Sequence, residues 1–210
     1  MKLADRTVTD FSDLLASGAP APGGGSAAAL EAALGAGLIA MVCRLTVDKE
    51  RFAPHREDLL AIQERSEVLR QKLLEGMERD TDAFLQVSGA FALPKSTQEE
   101  KAARSAAIQR GLEACTRTPL EVMELAAEAL ELAASLAGRF NESAASDLGV
   151  AVFSLQTGLR GAWLNVCINV GSLRSGALAR SCRERGEALL SRALPLAERT
   201  AGQIEQLIQA

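Results

Sequence analysis

The apolar residues of this chain recur at steps of three and four positions along most of its length, which is the spacing of one face of an α-helix. Glycines, prolines and capping residues divide the pattern, and runs of β-branched residues are almost absent. The first predicted helix starts at Thr7 or Thr9 and ends at Gly18; the others cover residues 26–49, 54–92, 96–138, 144–170 and 175–208. The pattern predicts an all-α bundle of about six long helices, in a single domain over residues 1–210.

Local signals refine the ends of these segments. Ser96 and Glu99 match the Ser-x-x-Glu pattern of a capping box at the start of the fourth helix. Pro119 predicts an interruption or kink in that helix, and Pro195 predicts a bend in the last one. Gly18 is the expected C-terminal cap of the first helix.

The third helix has a carboxylate within its apolar stripe. Asp80 occupies a position where the spacing otherwise calls for a buried side chain, in the series Leu59, Ile62, Ser66, Leu69, Leu73, Met77, Asp80, Phe84, Val87 and Phe91. A carboxylate removed from water must be paired, hydrogen-bonded or neutral, and its pKa rises toward the range of a general acid or base. Two interpretations stay open: a catalytic carboxylate, or a buried acid satisfied by a neighbouring helix.

A glycine-rich turn, with the sequence Pro-Ala-Pro-Gly-Gly-Gly-Ser at residues 20–26, leads into the second helix. The glycines free the backbone from Cβ clashes, and Ser26 is expected to cap the first turn. The exposed N–H groups of a helix start suit an anion or a carbonyl-rich ligand, while a tight turn between packed helices is the alternative. The absence of a preceding strand and of a Gly-Lys-Ser/Thr ending excludes a dinucleotide fingerprint and a P-loop.

Small and polar residues form a strip along the otherwise apolar fifth helix. The strip either lets another backbone approach closely or lines a polar cavity, and both possibilities remain open. Its members, at helical steps, are Asp147, Ser154, Gly158, Gly161, Asn165 and Asn169.

Composition narrows the classes of function. A net charge of −4 with scattered basic residues argues against a nucleic-acid partner. The single histidine, His55, lies in a charged stretch, and the four cysteines show no paired spacing, so we expect no metal site, no Ser-His-Asp triad and reduced core thiols. We expect no membrane span, since residues 27–43 contain Glu31, and no signal segment, which predicts a cytoplasmic protein.

Several ordered blocks share their order and spacing with one known family. They are Ala-Pro-Gly-Gly-Gly-Ser at 21–26, Met-Val and Leu-Thr within 41–46, Asp80 followed by Ala83-Phe84, Leu-Pro-Lys at 93–95, Pro-Leu at 119–120, Ser-Asp-Leu and Val-Ala within 146–151, and Asn-Val and Ile-Asn within 165–169. Over nearly its whole length the chain resembles the cyclodeaminase/cyclohydrolase family of folate enzymes. That family occurs as the C-terminal domain of formiminotransferase-cyclodeaminase and as short free-standing bacterial proteins, and we expect the latter form.

The resemblance implies a helical homodimer that binds tetrahydrofolate derivatives as substrate and needs no metal. The expected reaction is cyclodeamination of 5-formiminotetrahydrofolate to 5,10-methenyltetrahydrofolate and ammonia. One alternative is a cyclohydrolase that opens 5,10-methenyltetrahydrofolate, and another is a non-catalytic folate-binding or helical interaction module.

The resemblance also suggests roles for individual residues. Asp80 stands at the position of the family's catalytic carboxylate and would carry a proton between the two nitrogens. Asp147 and Asn165 would recognise the edges of the pterin ring. The acidic or carbonyl part of the folate would be held by the start of the second helix, at Gly23, Gly24, Gly25 and Ser26.

Overall fold

The computed structural model describes all 210 residues, and it contains six α-helices, three short 3-10 segments and no strand. The all-α bundle predicted from the sequence is confirmed. The helices are α1 (Val8–Ala16), α2 (Gly24–Val47), α3 (Arg56–Phe91), α4 (Gln98–Ser135), α5 (Ala145–Val170) and α6 (Gly176–Gln209). The 3-10 segments are Leu3–Asp5, Glu50–His55 and Glu142–Ala144.

Four of the helices form the body of the bundle. α2 packs against α3 on one side and α5 on the other, and α4 contacts both α3 and α5. α6 lies outside α4 and α5, and its apolar side adds to a continuous core of buried side chains that all five long helices share. The first turn of α2 and the last turns of α5 meet α3 and α4 at one end of the bundle, and the candidate site lies there.

α2 and α5 run antiparallel at close distance because small residues line their contact. A Cβ atom added to Gly158 would lie 2.7 Å from the carbonyl oxygen of Ala28, and one added to Gly35 would lie 2.8 Å from that of Ala151. Neither distance is tolerated by a real Cβ atom. The central part of the polar strip on α5 thus serves close helix packing, one of the two alternatives that the sequence left open.

α2 corrects one expectation about membranes. By length and composition alone it could span a bilayer, because its two charged residues, Glu31 and Arg44, do not offset the Ala- and Leu-rich remainder. In the bundle, 61% of its most apolar window is buried. A core helix of a soluble protein meets the same criterion, so the absence of a membrane partner and the cytoplasmic location stay predictions.

The capping box of α4 lies one residue later than predicted. Thr97 Oγ1 accepts a hydrogen bond from the Glu100 amide at 3.1 Å, and the Glu100 carboxylate accepts one from the Thr97 amide, also at 3.1 Å. Ser96 and Glu99 offer the same spacing, so the pattern alone could not choose between the two registers.

The three remaining local signals had different outcomes. α4 continues through Pro119 without interruption and α6 continues through Pro195, while a kink at Pro119 and a bend at Pro195 stay predictions. α1 ends at Ala16 with an extended Ser17 as its C-cap, and Gly18 is not in the left-handed conformation of a glycine cap. A proline removes one backbone hydrogen bond, but the hydrogen bonds of the neighbouring turns and the packing of the helix can keep it continuous.

The apolar stripe of α3 changes face beyond Asp80. Phe84 and Phe91 were expected in the core but are 44% and 55% exposed. Val87 is buried as expected, and Ala83 and Ala90 are buried in place of the two phenylalanines, because this half of α3 packs against α4 through smaller side chains. Phe84 is therefore free to line a cavity. The expectation of reduced thiols holds, since all four cysteines are free, and only Cys167 is incompletely buried.

Candidate functional site

The carboxylate of Asp80 on α3 meets the first turn of α2. Ser26 Oγ donates a hydrogen bond to Asp80 Oδ2 at 2.9 Å, and the Ser26 backbone amide also donates to the carboxylate. Gly25 makes this approach possible, since a Cβ atom there would overlap the Asp80 carboxylate. The protein's own acid thus occupies the anion-binding start of the helix that the sequence offered to a ligand.

Ser26 has a different role from the predicted one. α2 begins at Gly24 with Gly23 as its N-cap, and no side chain caps the helix. The Ser26 hydroxyl instead reaches across to α3, where it contacts Asp80, the Met77 carbonyl oxygen at 3.2 Å and the Thr81 hydroxyl at 3.1 Å. Ser26 is fully buried, so it has no surface on which to bind a substrate.

Burial raises the pKa of the Asp80 carboxyl above its usual value, and the hydrogen bonds from the Ser26 hydroxyl and amide offset part of that rise. No cationic side chain contributes to the balance. Asp80 is thus an acid satisfied by a neighbouring helix, as one interpretation held. It also keeps an open side toward a cavity, which leaves it able to exchange a proton with a bound molecule.

The cavity beside Asp80 has a volume of about 300 Å³. It lies between the start of α2, the middle of α3 and α4, and the last turns of α5. Its lining residues are Pro20, Ala21, Gly23, Gly24, Gly25, Asp80, Thr81, Phe84, Cys115, Asn165, Ile168 and Asn169, and we call this cavity the Asp80 pocket. The structure brings together Asp80, the three glycines and Asn165 from the predicted set, with Ser26 directly behind Asp80.

Two amide side chains on α5 complete the polar wall. Asn165 Nδ2 donates to the Gly161 carbonyl at 2.9 Å, and Asn169 Nδ2 donates to the Cys115 carbonyl at 2.8 Å. Because these bonds occupy one amide hydrogen each, both side chains retain hydrogen-bonding capacity for a ligand. The end of the α5 strip therefore lines a polar cavity, the second alternative left open by the sequence.

Asp147 lies outside the pocket. It stands in the first turn of α5, 18 residues before Asn165, which corresponds to about 27 Å along the helix axis. A strip at helical spacing defines one side of a helix but does not tell which part of that side meets a cavity. Sequence reasoning selected Asp147 for this reason and left out Asn169, which belongs to the same strip.

Cys115 gave no usable sequence signal. It comes from α4, and its backbone carbonyl accepts a hydrogen bond from Asn169. Burial, with a smaller contribution from the charge of Asp80, raises the pKa of the Cys115 thiol to about 11. The thiol is therefore protonated near neutral pH and is not a thiolate nucleophile. No group of three or more His, Cys, Asp or Glu side chains is placed to hold a metal ion.

Comparison with known proteins identifies relatives of the whole fold. A family model described as formiminotransferase-cyclodeaminase matches residues 7–188. The chain is 44% identical to a methenyltetrahydrofolate cyclohydrolase of Methylorubrum extorquens, over 93% of this chain and 94% of that protein. It is 33% identical to the formimidoyltransferase-cyclodeaminase of Rattus norvegicus over 97% of this chain, although it spans only 38% of that longer protein.

A solved structure has the same architecture. The formiminotetrahydrofolate cyclodeaminase from Thermotoga maritima aligns with 99% of this chain and 100% of its own, with a TM-score of 0.89. The sequence identity is 22%, so this likeness concerns the fold.

Proposed function

Since the chain belongs to the formiminotransferase-cyclodeaminase family, we propose that it is an enzyme acting on one-carbon derivatives of tetrahydrofolate. The observation that carries the proposal is the Asp80 carboxyl, half-buried with a raised pKa at the wall of a cavity. Such a group can take up a proton and release it again, which both candidate reactions require. Asn165, Asn169 and the backbone of residues 23–25 offer hydrogen bonds to a heterocyclic ligand.

The favoured reaction is hydrolysis of 5,10-methenyltetrahydrofolate. The 44% identity to a cyclohydrolase of nearly the same extent supports it. Water adds to the methenyl carbon and gives one proton to Asp80, leaving a neutral hydroxyl adduct. Asp80 then returns this proton to N5 as the bond between the carbon and N5 breaks. The hydroxyl proton leaves to solvent, the carbonyl forms, and the product is 10-formyltetrahydrofolate.

Cyclodeamination, the reaction expected from the sequence, is the second candidate. The 33% identity to formimidoyltransferase-cyclodeaminase over 97% of this chain supports it. The formimino group of 5-formiminotetrahydrofolate reacts as its protonated amidinium, so N10 attacks the amidinium carbon and loses its proton to Asp80. Asp80 then protonates the departing nitrogen, so that ammonia leaves and the methenyl compound remains. Both reactions use the same proton carrier and share the methenyl species.

A spectroscopic assay with both folates tests the proposal. We expect the methenyl absorbance to disappear faster with enzyme than without it, with 10-formyltetrahydrofolate as the product. Appearance of that absorbance from the formimino compound, together with ammonia, would assign cyclodeamination. Folate binding without turnover of either compound would indicate a non-catalytic module and contradict the proposed enzyme. Asp80→Asn is the matched variant in each assay.

We also propose that two copies of the chain associate through the outer side of α2 and α5. Large apolar residues at helical spacing are exposed there, with Leu164 at 68% and Ile168 at 74%. α2 is about 36 Å long, so the outer side of two such helices about 10 Å apart offers about 700 Å² of surface to a partner. That area is close to the roughly 800 Å² that each partner buries in a standard interface. This α2/α5 face consists of Leu34, Leu45, Val150, Phe153, Leu164 and Ile168.

Charge supports a second copy as the occupant of the α2/α5 face. Glu31 on α2 and Arg160 on α5 lie at the same level of the helix pair, and neither takes part in an ion pair within the chain. A two-fold axis between the copies would place Glu31 of each copy against Arg160 of the other. Ile168 belongs both to this face and to the Asp80 pocket, so association would also close one side of the pocket.

Sedimentation velocity tests the association. We expect a dimer for the native chain, a monomer for Leu164→Glu, weakened dimers for Glu31→Arg and for Arg160→Glu, and recovery in the double charge reversal. Leu85→Glu is the control, because Leu85 is 48% exposed on α3, outside the face. A monomeric native chain, or a Leu164→Glu variant that remains a dimer, would contradict the proposed interface.

A further inference from the structure

The Ser26 hydroxyl lies among three oxygen atoms of α3. They are the Met77 carbonyl at 3.2 Å, Asp80 Oδ2 at 2.9 Å and Thr81 Oγ1 at 3.1 Å. Ser26 itself is 0% exposed, while Asp80 and Thr81 both line the Asp80 pocket. The hydroxyl therefore touches the reacting carboxyl from behind, on the side away from any ligand.

The donors and acceptors of this group allow two arrangements. The Met77 carbonyl can only accept, whereas the Ser26 and Thr81 hydroxyls can each donate and accept. When Asp80 is ionised, Ser26 donates to Oδ2 and Thr81 can donate to Ser26. When Oδ2 carries a proton, Asp80 donates to Ser26, and the hydroxyl hydrogen of Ser26 turns to the Met77 carbonyl. The Met77 carbonyl lies inside α3 and also accepts a backbone N–H bond of the helix, so every group keeps a partner in both arrangements.

We propose that Ser26 is a positioning residue for Asp80, whose hydroxyl reverses the direction of its hydrogen bond as the carboxyl gains and loses a proton. The inference deepens the proposed function, since it assumes that Asp80 changes protonation state during turnover. It replaces the role expected from the sequence, in which Ser26 bound the substrate. Because buried polar groups without partners are costly, a partner that serves both states lowers the cost of each proton transfer.

Few other groups act on the carboxyl. From α2 it contacts Gly25 and Ser26, and the polar side chains that the pocket presents from α5 are the neutral amides Asn165 and Asn169. Cys115 on α4 is the one other titratable side chain of the pocket, and its pKa of about 11 keeps it neutral over the working range. A change in the titration of Asp80 on replacing Ser26 is therefore attributable to the hydroxyl.

The test follows the Asp80 carboxyl directly. The carboxyl carbon is labelled with ¹³C and titrated by NMR in the native chain and in Ser26→Ala, without substrate, with Asp80→Asn providing the assignment. Ser26→Ala is expected to raise the midpoint by about one pH unit, because the hydroxyl stabilises the ionised form. Thr81→Val is expected to shift it less, because the Thr81 hydroxyl is hydrogen-bonded to Ser26 and not to the carboxyl.

Kinetics separate positioning from substrate contact. For Ser26→Ala we expect kcat to fall about tenfold with KM unchanged, and the acid limb of the pH profile to move upward with the NMR midpoint. An unchanged midpoint, or a raised KM at unchanged kcat, would overturn the proposal. If Ser26→Ala does not fold, Ser26→Cys has similar volume but a weak donor and is expected to shift the midpoint in the same direction. The titration needs no turnover, so its outcome is independent of which reaction the enzyme catalyses.

Discussion

The two ends of the bundle each hold a cavity with a single carboxylate, and the two carboxylates differ in their surroundings. The Asp80 pocket measures about 300 Å³, and the cavity at the opposite end, between the ends of α4 and α6 and the start of α5, about 270 Å³. There the acid is Glu142, which is about half exposed and paired with Arg51 at 3.0 Å. Asp80 is held without a cation. Cavity size therefore does not distinguish the two ends, whereas the environment of the acid does.

The sharpest way to break this comparison is to neutralise each acid. Asp80→Asn is expected to lower turnover by about two orders of magnitude or more while folate binding remains, as for loss of a general acid/base. Glu142→Gln, which loses only an exposed ion pair, should leave turnover within about twofold of native. Steady-state kinetics with the better of the two folates measures both. Near-native turnover of Asp80→Asn would exclude its proposed role.

A smaller effect is expected from displacing the carboxyl rather than removing it. Gly25→Ala places a methyl group where the Asp80 carboxylate lies and should reduce turnover about 10- to 100-fold. Gly202→Ala is the matched control, since Gly202 lies in α6 outside the Asp80 pocket and nothing lies within 4 Å of its added Cβ atom. The two variants are compared by kcat and by circular dichroism. Equal activities would show that the close approach of α2 and α3 is not needed for catalysis.

The pH dependence sharpens the comparison further. Because the folded-state pKa of Asp80 is raised, the acid limb of kcat should lie above the ordinary aspartate value of about 3.9. The same shift favours folding at low pH, and this contribution disappears as pH rises from the unfolded-state pKa through the folded-state pKa. Denaturant titrations should therefore show native stability falling relative to Asp80→Asn over that interval. A stability difference independent of pH would contradict the shift.

The smallest effect on catalysis is expected from the opposite cavity. Ile204→Ala removes a buried side chain from its wall and should cost about 2–4 kcal/mol in the free energy of unfolding. Its kcat/KM under folding conditions should stay within about twofold of native. Urea denaturation and the folate assay give the two values. A large loss of activity in the folded variant would mean that this end also takes part in function.

The sequence predicted the helices well because the periodic pattern of apolar residues extends over many turns in each. Packing then decides only at which of a few neighbouring residues each helix ends. It also predicted Asp80 from one position in the α3 stripe. The same stripe misplaced Phe84, since periodicity defines a helix face but not the partner helix that covers it. α3 changes its contact from large to small side chains beyond Asp80, and no local pattern reports that change.

The neighbours of a residue were the hardest feature to predict. Ser26 satisfied every local rule for an N-cap, yet its hydroxyl bonds to Asp80, 54 residues later in the chain. Asp147 and Asn165 share a helical strip, yet only Asn165 lies in the pocket. In both cases the deciding interaction is a contact between helices that the sequence of one helix does not contain.

The close contact of α2 with α5 has a consequence for variation among related proteins. Gly158 leaves the backbone of Ala28 within reach of any added side chain, about two helical turns from Asn165. A larger residue there would push the helices apart and widen the gap between the glycine turn and the amides, without altering any group that lines the pocket. Ligand preference in this fold can therefore diverge through substitutions at the helix contact, which an inspection of pocket residues alone would overlook.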